Sequence, residues 1–375
     1  MHWETLLENA QFRLRRSGRF LVTELLSAHR VLSTSACNGG QSDGIQYLVN
    51  HQSCEGSAHH ERHVVMLELG QERYHNAVCD DLGLDPECVA TMGTAANMNY
   101  ATVVQRGDEH LTVTAIVTAG VQGNAACAGD PTTWRETAEG CRETALHSGT
   151  INAQLLLDCA VTDGALARAV VTMTEAKTAA LQRLAVRSRY SMDGATGTTT
   201  DQFCIAAPLH STAPHRFTST GTKLGEYIGV SVRDATLEAL RWHNGLEPSY
   251  TRGLFHALGR YGVKEDQFVN EIAPYLNARE LELLQSNRNA VMYEPMVAAA
   301  AYAMASILDR CRYGVFPPST AQESLRQQAA CLAASFSGQL ERWPEFHTCL
   351  VEVDAEHPEK LILAAIALGW SKKWS

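Results

Sequence analysis

Lys177 is the residue whose surroundings in the sequence most clearly suggest chemistry. On a helical wheel it falls in the middle of an apolar stripe made of Leu166, Val170, Met173, Ala180, Leu181 and Leu184. An ammonium buried there must pair with a carboxylate or lose its proton, because burial disfavours the charged form. The alternative is that its methylene groups cross the apolar face and its tip reaches water. The sequence leaves both interpretations open.

Histidines form the densest group of potential metal ligands in the chain. His51 precedes Cys54, and His59, His60 and His63 follow soon after. Zinc is the metal that this ligand set would suggest, but the spacing matches no common structural zinc pattern. We therefore expect no required cofactor, with zinc left open, and we expect a chelator to leave activity largely intact.

The segments around Lys177 predict a strand, a helix and a polar turn that would position it. An apolar run over 150–161 is followed by a helix beginning near Thr162 and ending near Leu184. The polar turn 195–201 comes next. Upstream, the alternation over 111–117 predicts a strand that opens into the glycine-rich bend 118–131, a common location for sites. This bend lacks the glycine spacing of a nucleotide-binding loop.

The pattern of the whole chain predicts two parts. Two early strands flank Ser17-Gly18, and beyond Asp234 the sequence changes to successive helices bounded by prolines. We expect an α+β fold with a mixed sheet and covering helices over residues 1–235. An all-helical region over 236–375 would follow and is the expected place for contacts between copies of the chain.

Composition restricts the class of protein. Of 375 residues, 45% are hydrophobic and 19% charged, as in ordinary globular proteins, and the net charge of −10 argues against a nucleic-acid partner. The sequence contains no run of about 18 uncharged apolar residues, so it predicts no membrane-spanning helix. The first apolar stretch is interrupted too early for a secretory signal, and the 11 cysteines fit reduced thiols. We expect a cytoplasmic protein with no membrane partner.

Seven short motifs follow one another in one order over about residues 10–240. They are Asn38-Gly39-Gly40, 92–96, 117–130, 149–152, 174–180, 195–201 and 222–229. Taken together, these motifs resemble the adenosylcobinamide amidohydrolase family, CbiZ. The histidine cluster and the helical region after Asp234 lie outside the resemblance.

The resemblance implies an enzyme of cobalamin salvage. It would hydrolyse the amide that joins the aminopropanol arm to the corrin ring of adenosylcobinamide, giving adenosylcobyric acid and the amino alcohol. The corrinoid would be the substrate rather than a cofactor. Two other interpretations remain open: a corrinoid-binding or delivery module without catalysis, and an unrelated amidase on the same core.

Amide hydrolysis needs an activated nucleophile, stabilisation of an oxyanion and an acid for the leaving amine. The candidate catalytic residues are Glu175, Lys177, Asp201 and Glu226, and we predict that the three carboxylates converge on the lysine. An activated water is the favoured nucleophile. The competing route uses the hydroxyl of Thr198 or Thr200, and the chain contains no Gly-x-Ser-x-Gly motif.

The polar residues of the motifs are the candidates for substrate binding. They are Thr94, Asn124, Asp130, Thr150, Asn152, Thr196, Gly197, Thr198 and Lys223. We expect Asn124 and the backbone near Gly197 to stabilise developing charge. For Lys223 and Glu226 an exposed helix face is the alternative, and for the threonines it is hydrogen bonding within turns.

Overall fold

The computed structural model describes residues 1–54, 70–132, 135–137, 140–142 and 149–374. The chain divides into two units, Met1–Leu246 and Glu247–Ser375. The first unit contains all the strands of the described residues.

The strands of the first unit are numbered in chain order. They are β1 (Glu4–Glu8), β2 (Phe12–Ser17), β3 (Phe20–Leu25), β4 (His29–Ser33), β5 (Gly40–Ser42), β6 (Tyr47–Gln52), β7 (Val89–Thr94), β8 (Thr102–Gly107), β9 (Thr112–Ala119), β10 (Ala125–Ala126), β11 (Arg135–Thr137), β12 (Gly140–Arg142), β13 (Ile151–Leu157), β14 (Gly197–Thr198) and β15 (Gln202–Pro208). Its helices are α1 (Gln71–Leu82), α2 (Asp163–Arg183) and α3 (Lys223–Asn244).

These strands form two main sheets and two small ladders. Sheet 1 has the order β1-β2-β3-β6-β7, and sheet 2 has the order β5-β4-β15-β13-β9-β8. Within them only β6–β7 and β13–β15 are parallel pairs. The small ladders pair β10 with β14 and β11 with β12. The α+β class is therefore confirmed, with two sheets in place of the single mixed sheet that we expected.

The two sheets and three helices stack as four layers. One apolar cluster joins α1 to sheet 1, a second fills the space between the sheets, and a third joins sheet 2 to α2 and α3. Strand β13 contributes to two of these clusters because its side chains alternate between the faces. Leu155 packs toward the helices, and Leu156 packs toward sheet 1. Burial on both faces explains why this strand is largely apolar, with Asn152 and Gln154 as the two polar residues, both buried on the face toward sheet 1.

Local sequence fixes the ends of the two long helices of the first unit. The side chain of Thr162 accepts a hydrogen bond from the Ala165 amide and caps α2, and Thr222 caps α3 through the Gly225 amide. Helix α3 ends at Gly245, whose φ of 63° suits glycine. Because α3 continues to Asn244, it runs past residue 235, where we predicted the first domain to end.

Gly221, Gly225 and Gly229 recur every four residues, which favours a ridge packed closely against another helix or strand. The structure corrects this interpretation. A Cβ at Gly225 would collide with the chain's own Ser219 carbonyl, whereas nothing lies within 4 Å of a Cβ at Gly221 or Gly229. The close approach occurs at one position and comes from the turn that precedes α3.

The second unit is helical throughout its described residues. Its helices are α4 (Pro248–Thr251), α5 (Leu254–Leu258), α6 (Phe268–Ile272), α7 (Ala278–Met292), α8 (Pro295–Arg312), α9 (Pro318–Ser337), α10 (Trp343–Leu350) and α11 (Pro358–Ser371). They enclose one apolar cluster that includes Phe268, Phe336 and Phe346. This agrees with the predicted all-helical C-terminal region.

In the described part of the chain, no single helix is long and apolar enough to cross a membrane. Helices α7 and α8 meet the length and composition criteria only as a pair, and they are bent by 81° relative to each other.

Candidate functional site

Lys177 forms an ion pair with Asp201 at the end of sheet 2 where β13 and β15 begin. Both side chains are largely buried, with exposed fractions of 17% and 16%. The expectation that this lysine needs a carboxylate partner is therefore confirmed. Lys177 projects from the fourth turn of α2, and Asp201 directly precedes β15. Helix and strand thus hold the two charges from opposite sides.

Asp201 is held by further hydrogen bonds. Its Oδ1 accepts from the Ile151 amide at 2.9 Å and from the Thr198 hydroxyl at 2.5 Å. Its Oδ2 accepts from the Thr198 amide at 3.0 Å and from the Lys177 ammonium. A carboxylate offers about four acceptor positions, so these donors occupy them. Asp201 therefore orients Lys177. As a candidate catalytic carboxylate it could also have been the base that activates water, but its full set of donors disfavours that role.

Because Gly197 has no side chain, the polar turn 195–201 can lie directly against the Lys177–Asp201 ion pair. A Cβ there would lie 2.7 Å from the Lys177 Nζ and closer still to the Asp201 carboxylate. The hydroxyl of Thr178 on α2 donates to the Thr196 carbonyl at 3.0 Å and ties the same turn to the helix. A side chain larger than hydrogen at this position would separate the lysine from the aspartate.

Asn124 organises the loops beside the pair. Only 1% exposed, it donates from Nδ2 to the Gly149 carbonyl at 2.8 Å and to the Thr200 hydroxyl at 3.2 Å. Its Oδ1 accepts from Tyr190 at 2.6 Å and from Thr199 at 2.8 Å. Both amide protons are thus engaged inside the protein. The structure places Asn124 as a positioning residue, and not as a free donor to a substrate as the sequence suggested.

Gly149 and Thr150 join this network just before β13. Gly149 has a φ of 137°, and a Cβ there would lie 2.9 Å from the Gly120 carbonyl. Its carbonyl also accepts from the Thr200 hydroxyl at 3.1 Å, and the Thr150 and Thr200 hydroxyls lie 2.7 Å apart. The start of β13 is therefore surrounded by side-chain donors.

Asn152 extends the network between the two sheets. Completely buried, it donates to the Asn50 side chain at 2.9 Å and to the Gly93 carbonyl at 3.0 Å. Asn50 in turn donates to Thr118 at 2.8 Å, and the Gly93 amide donates to Gln202 at 2.9 Å. These bonds bring the motif at 92–96 on sheet 1 to the same end of sheet 2 as Asp201.

The remaining predicted binding residues at this end stabilise loops. The Asp130 carboxylate accepts from the Cys127 amide at 2.6 Å and from Ser188 at 2.5 Å. Burial alone would raise the pKa of Asp130, but hydrogen bonds led by that of Ser188 outweigh it and lower the pKa. Thr196 accepts from the Ala128 amide at 2.9 Å, and Thr94 accepts from the Ala96 amide at 3.0 Å.

Lys223 and Glu226 form a separate pair in the first turn of α3. Their charged groups are 2.8 Å apart, and the side chains are 58% and 52% exposed. The neighbouring Tyr227 donates to Asp108, which lies in the turn between β8 and β9. The exposed helix face that the sequence left as an alternative is what the structure contains.

This second pair lies at the opposite end of sheet 2 from Asp201. Asp108 is next to the end of β9 that pairs with Leu157, whereas Asp201 binds the amide of Ile151 at the other end of β13. A strand of this length spans about 20 Å. The predicted convergence of Glu226 on Lys177 is therefore wrong, and Lys223, a predicted binding residue, also lies away from this pair.

Glu175 is also not part of the cluster. It is exposed on α2, two positions from Lys177, while the adjacent Ala176 is buried. Side chains two positions apart on a helix point in different directions. Of the three predicted carboxylates, the structure brings Asp201 alone to Lys177.

The predicted metal ligands divide between described and undescribed parts of the chain. His51 is buried on β6, where its Nδ1 is hydrogen-bonded to Tyr74 and its ring stacks on Phe20 at 4.6 Å. His59, His60 and His63 lie outside the described residues. No group of three or more His, Cys, Asp or Glu side chains that could hold a metal ion occurs in the ranges that the structure describes.

Sequence reasoning missed His243 and Tyr190. His243, in the last turn of α3, lies so close to Gly120 that a Cβ there would be 3.1 Å from its Nε2. Burial lowers the pKa of His243, and its ring contacts the edge of Tyr100 at 5.9 Å. We had assigned this stretch to the helical extension. The Gly245 helix stop could have signalled that α3 still belongs to the first unit.

Comparisons with known proteins find a family and individual proteins with which this chain shares similarity. The family described as adenosylcobinamide amidohydrolase, CbiZ, matches residues 4–248. A protein named uncharacterized protein MJ1613, from Methanocaldococcus jannaschii, is 34% identical over 176 residues, which are 44% of this chain and 68% of that protein. The crystal structure of the PH0078 protein from Pyrococcus horikoshii OT3 covers 64% of this chain and 82% of its own, with 12% identity. Its TM-score of 0.26 is too low to indicate a shared fold.

Proposed function

The chain belongs to the adenosylcobinamide amidohydrolase family, which matches residues 4–248, and we propose that it hydrolyses the amide between the aminopropanol arm and the corrin ring of adenosylcobinamide. The products are adenosylcobyric acid and the amino alcohol. This reaction serves the salvage of cobalamin precursors, with the corrinoid as substrate.

The observation that carries the proposal is the largely buried Lys177–Asp201 pair at the end of sheet 2. An amide carbonyl gains negative charge when it is attacked, and a cation fixed in advance stabilises that charge without reorganising. A lysine ammonium has three donors. One of those of Lys177 points at Asp201, and the others serve the substrate oxygen.

The roles of the two residues differ. Lys177 supplies positive charge to the tetrahedral intermediate, and Asp201 positions Lys177 and balances its charge. Because four hydrogen bonds already converge on Asp201, it acts through the lysine rather than on the substrate. Gly197 keeps the turn close enough for both contacts.

The test is incubation of the purified chain with adenosylcobinamide, followed by mass spectrometry of the corrinoid. We expect the mass of adenosylcobyric acid to appear with time and the amino alcohol to be released in equal amount. Simple aliphatic amides offered in parallel should stay intact. Corrinoid that binds but is recovered unchanged would overturn the proposal in favour of a binding or delivery module.

A further inference from the structure

The carbonyl of Gly149 lies in an arrangement suited to stabilising an oxyanion. Its oxygen accepts from Asn124 Nδ2 at 2.8 Å and from Thr200 Oγ1 at 3.1 Å. The donors of an oxyanion hole lie about 2.7–3.1 Å from the oxygen of the tetrahedral intermediate, and these two side chains are already within hydrogen-bonding distance of the carbonyl oxygen from which it would form. Both are side chains on loops, and neither belongs to the hydrogen-bond ladder of sheet 2.

The nearest hydroxyl to that carbonyl along the chain belongs to Thr150. Its Oγ1 lies 2.7 Å from Thr200 Oγ1. A threonine hydroxyl carries one proton, and that of Thr200 points to the Gly149 oxygen. Thr150 must therefore donate its own proton to Thr200. This order forms a relay from the Thr150 hydroxyl through Thr200 to the Gly149 oxygen.

The backbone at Gly149 is held in a conformation that other residues rarely adopt. Its φ is 137°, and a Cβ there would lie 2.9 Å from the Gly120 carbonyl and 3.1 Å from the Asn124 Cβ. Only glycine therefore fits this position without displacing the Gly120 and Asn124 segments that pack against it.

The same dipeptide occurs at three other places in the chain, which serve as internal references. They are Gly93-Thr94, Gly197-Thr198 and Gly221-Thr222. None of these three glycines has a positive φ. The Gly149-Thr150 dipeptide thus differs from the other three in backbone conformation and not in sequence.

We propose that the chain cleaves its own peptide bond between Gly149 and Thr150. Thr150 Oγ1 adds to the carbonyl carbon of Gly149, its proton passes to Thr200 Oγ1, and the proton of Thr200 passes to the Gly149 oxygen. When this intermediate collapses, the C–N bond breaks and the hydroxyl proton moves to the Thr150 nitrogen, which leaves an ester. Water hydrolyses the ester to the Gly149 carboxylate and a free Thr150.

Cleavage would convert Thr150 into an N-terminal nucleophile. A hydrolase of this type uses the new α-amine as the base for its own hydroxyl. The Ile151 amide next to Thr150 donates to Asp201, which also holds Lys177. One carboxylate therefore holds both Lys177 and the residue that follows Thr150. Self-cleavage stands independently of the proposed function, whereas the use of Thr150 against adenosylcobinamide rests on it.

The test is the intact mass of the purified full chain, with N-terminal sequencing of any fragments. We expect two fragments, one ending at Gly149 and one beginning at Thr150, with the other three Gly–Thr bonds intact. Thr150→Ser should cleave, and Thr150→Ala should stay a single chain of 41.0 kDa. Thr200→Val removes one oxyanion donor and should slow cleavage by about 10²-fold. Thr102→Ala, on the edge strand β8, is the matched control and should cleave normally.

Each remaining outcome bears on a different claim. A wild-type chain that stays whole on prolonged incubation, or fragments that persist in Thr150→Ala, would overturn self-cleavage. Cleavage without turnover of adenosylcobinamide would uphold self-cleavage and contradict the proposed function. Full turnover by uncleaved Thr150→Ala would contradict the role of Thr150 as nucleophile.

Discussion

The first unit contains two lysine–carboxylate pairs at opposite ends of sheet 2. Lys177 and Asp201 are about one-sixth exposed, whereas Lys223 and Glu226 are more than half exposed. The buried pair receives further hydrogen bonds and lies among glycines, threonines and asparagines from several motifs. The exposed pair is an i,i+3 contact on one helix turn. From the sequence, Lys177, Asp201 and Glu226 were candidate catalytic residues and Lys223 a candidate binding residue, with an exposed helix face as the alternative for Lys223 and Glu226.

The difference shows that residue type alone does not make a site. An exposed ion pair is screened by water and adds little. A pair held in a partly dehydrated cluster keeps a strong local field and a fixed geometry. On this ground we propose that the end of sheet 2 with Lys177 carries the chemistry, whereas the Lys223–Glu226 pair at the other end is an ordinary surface contact.

The largest expected effect on stability comes from removing the buried anion. Asp201→Ala should lower the free energy of unfolding by about 3–5 kcal/mol, because it leaves the Lys177 charge buried without its partner. Glu226→Ala, the matched change at the exposed end, should leave the urea midpoint unchanged. Equal shifts of the urea midpoint in the two variants would show that the two pairs contribute equally to stability.

A smaller effect is expected from adding one methyl group at a glycine. Gly197→Ala places a Cβ 2.7 Å from Lys177 Nζ and should cost about 1–3 kcal/mol through overpacking. Gly229→Ala on α3 meets no atom within 4 Å and should stabilise the protein by up to about 1 kcal/mol through helix propensity. Thermal unfolding of both variants tests whether Gly197→Ala lowers Tm and Gly229→Ala raises it.

The pH dependence of stability should report on His243, which lies against Gly120 at the Lys177 end of sheet 2. Burial lowers the pKa of His243 below its usual 6.5, so the folded state favours the neutral ring. The associated stability is present above pH 6.5 and is lost as the pH falls through the lower folded value. His243→Gln should therefore flatten the fall in Tm between about pH 7 and 5. His29, whose pKa burial also lowers, should account for part of what remains.

The smallest effect is expected at Glu175. Because it is exposed on α2 and separate from the Lys177–Asp201 pair, Glu175→Gln should leave kcat and KM unchanged. A large loss of kcat in a folded Glu175→Gln protein would show that Glu175 takes part in catalysis.

The elements that depend on local pattern could be predicted from the sequence. The sequence over Gln71–Leu82 predicts a short helix, which the structure confirms as α1, and α2 begins at the residue after its Thr162 cap. The apolar stripe also revealed that Lys177 needs a partner. These features depend on neighbours within a few turns of the chain, so periodicity and capping are sufficient to find them.

The long-range arrangement could not be predicted in the same way. Whether Asp201 or Glu226 meets Lys177 depends on which end of sheet 2 each carboxylate occupies. That position follows from the order and direction of the strands, which local sequence does not reveal. The division into two sheets was missed because β13 is buried on both faces, and its largely apolar sequence is compatible with one sheet or two. His243 was missed because α3 carries it back to Gly120 from a region that we took for another domain.

The most direct test of the account is the turnover of adenosylcobinamide by Lys177→Met and Lys223→Met, measured side by side by product mass. The account predicts that Lys177→Met loses at least about 10²-fold in kcat while it stays folded, and that Lys223→Met matches the wild type. Normal turnover by a folded Lys177→Met protein would contradict it.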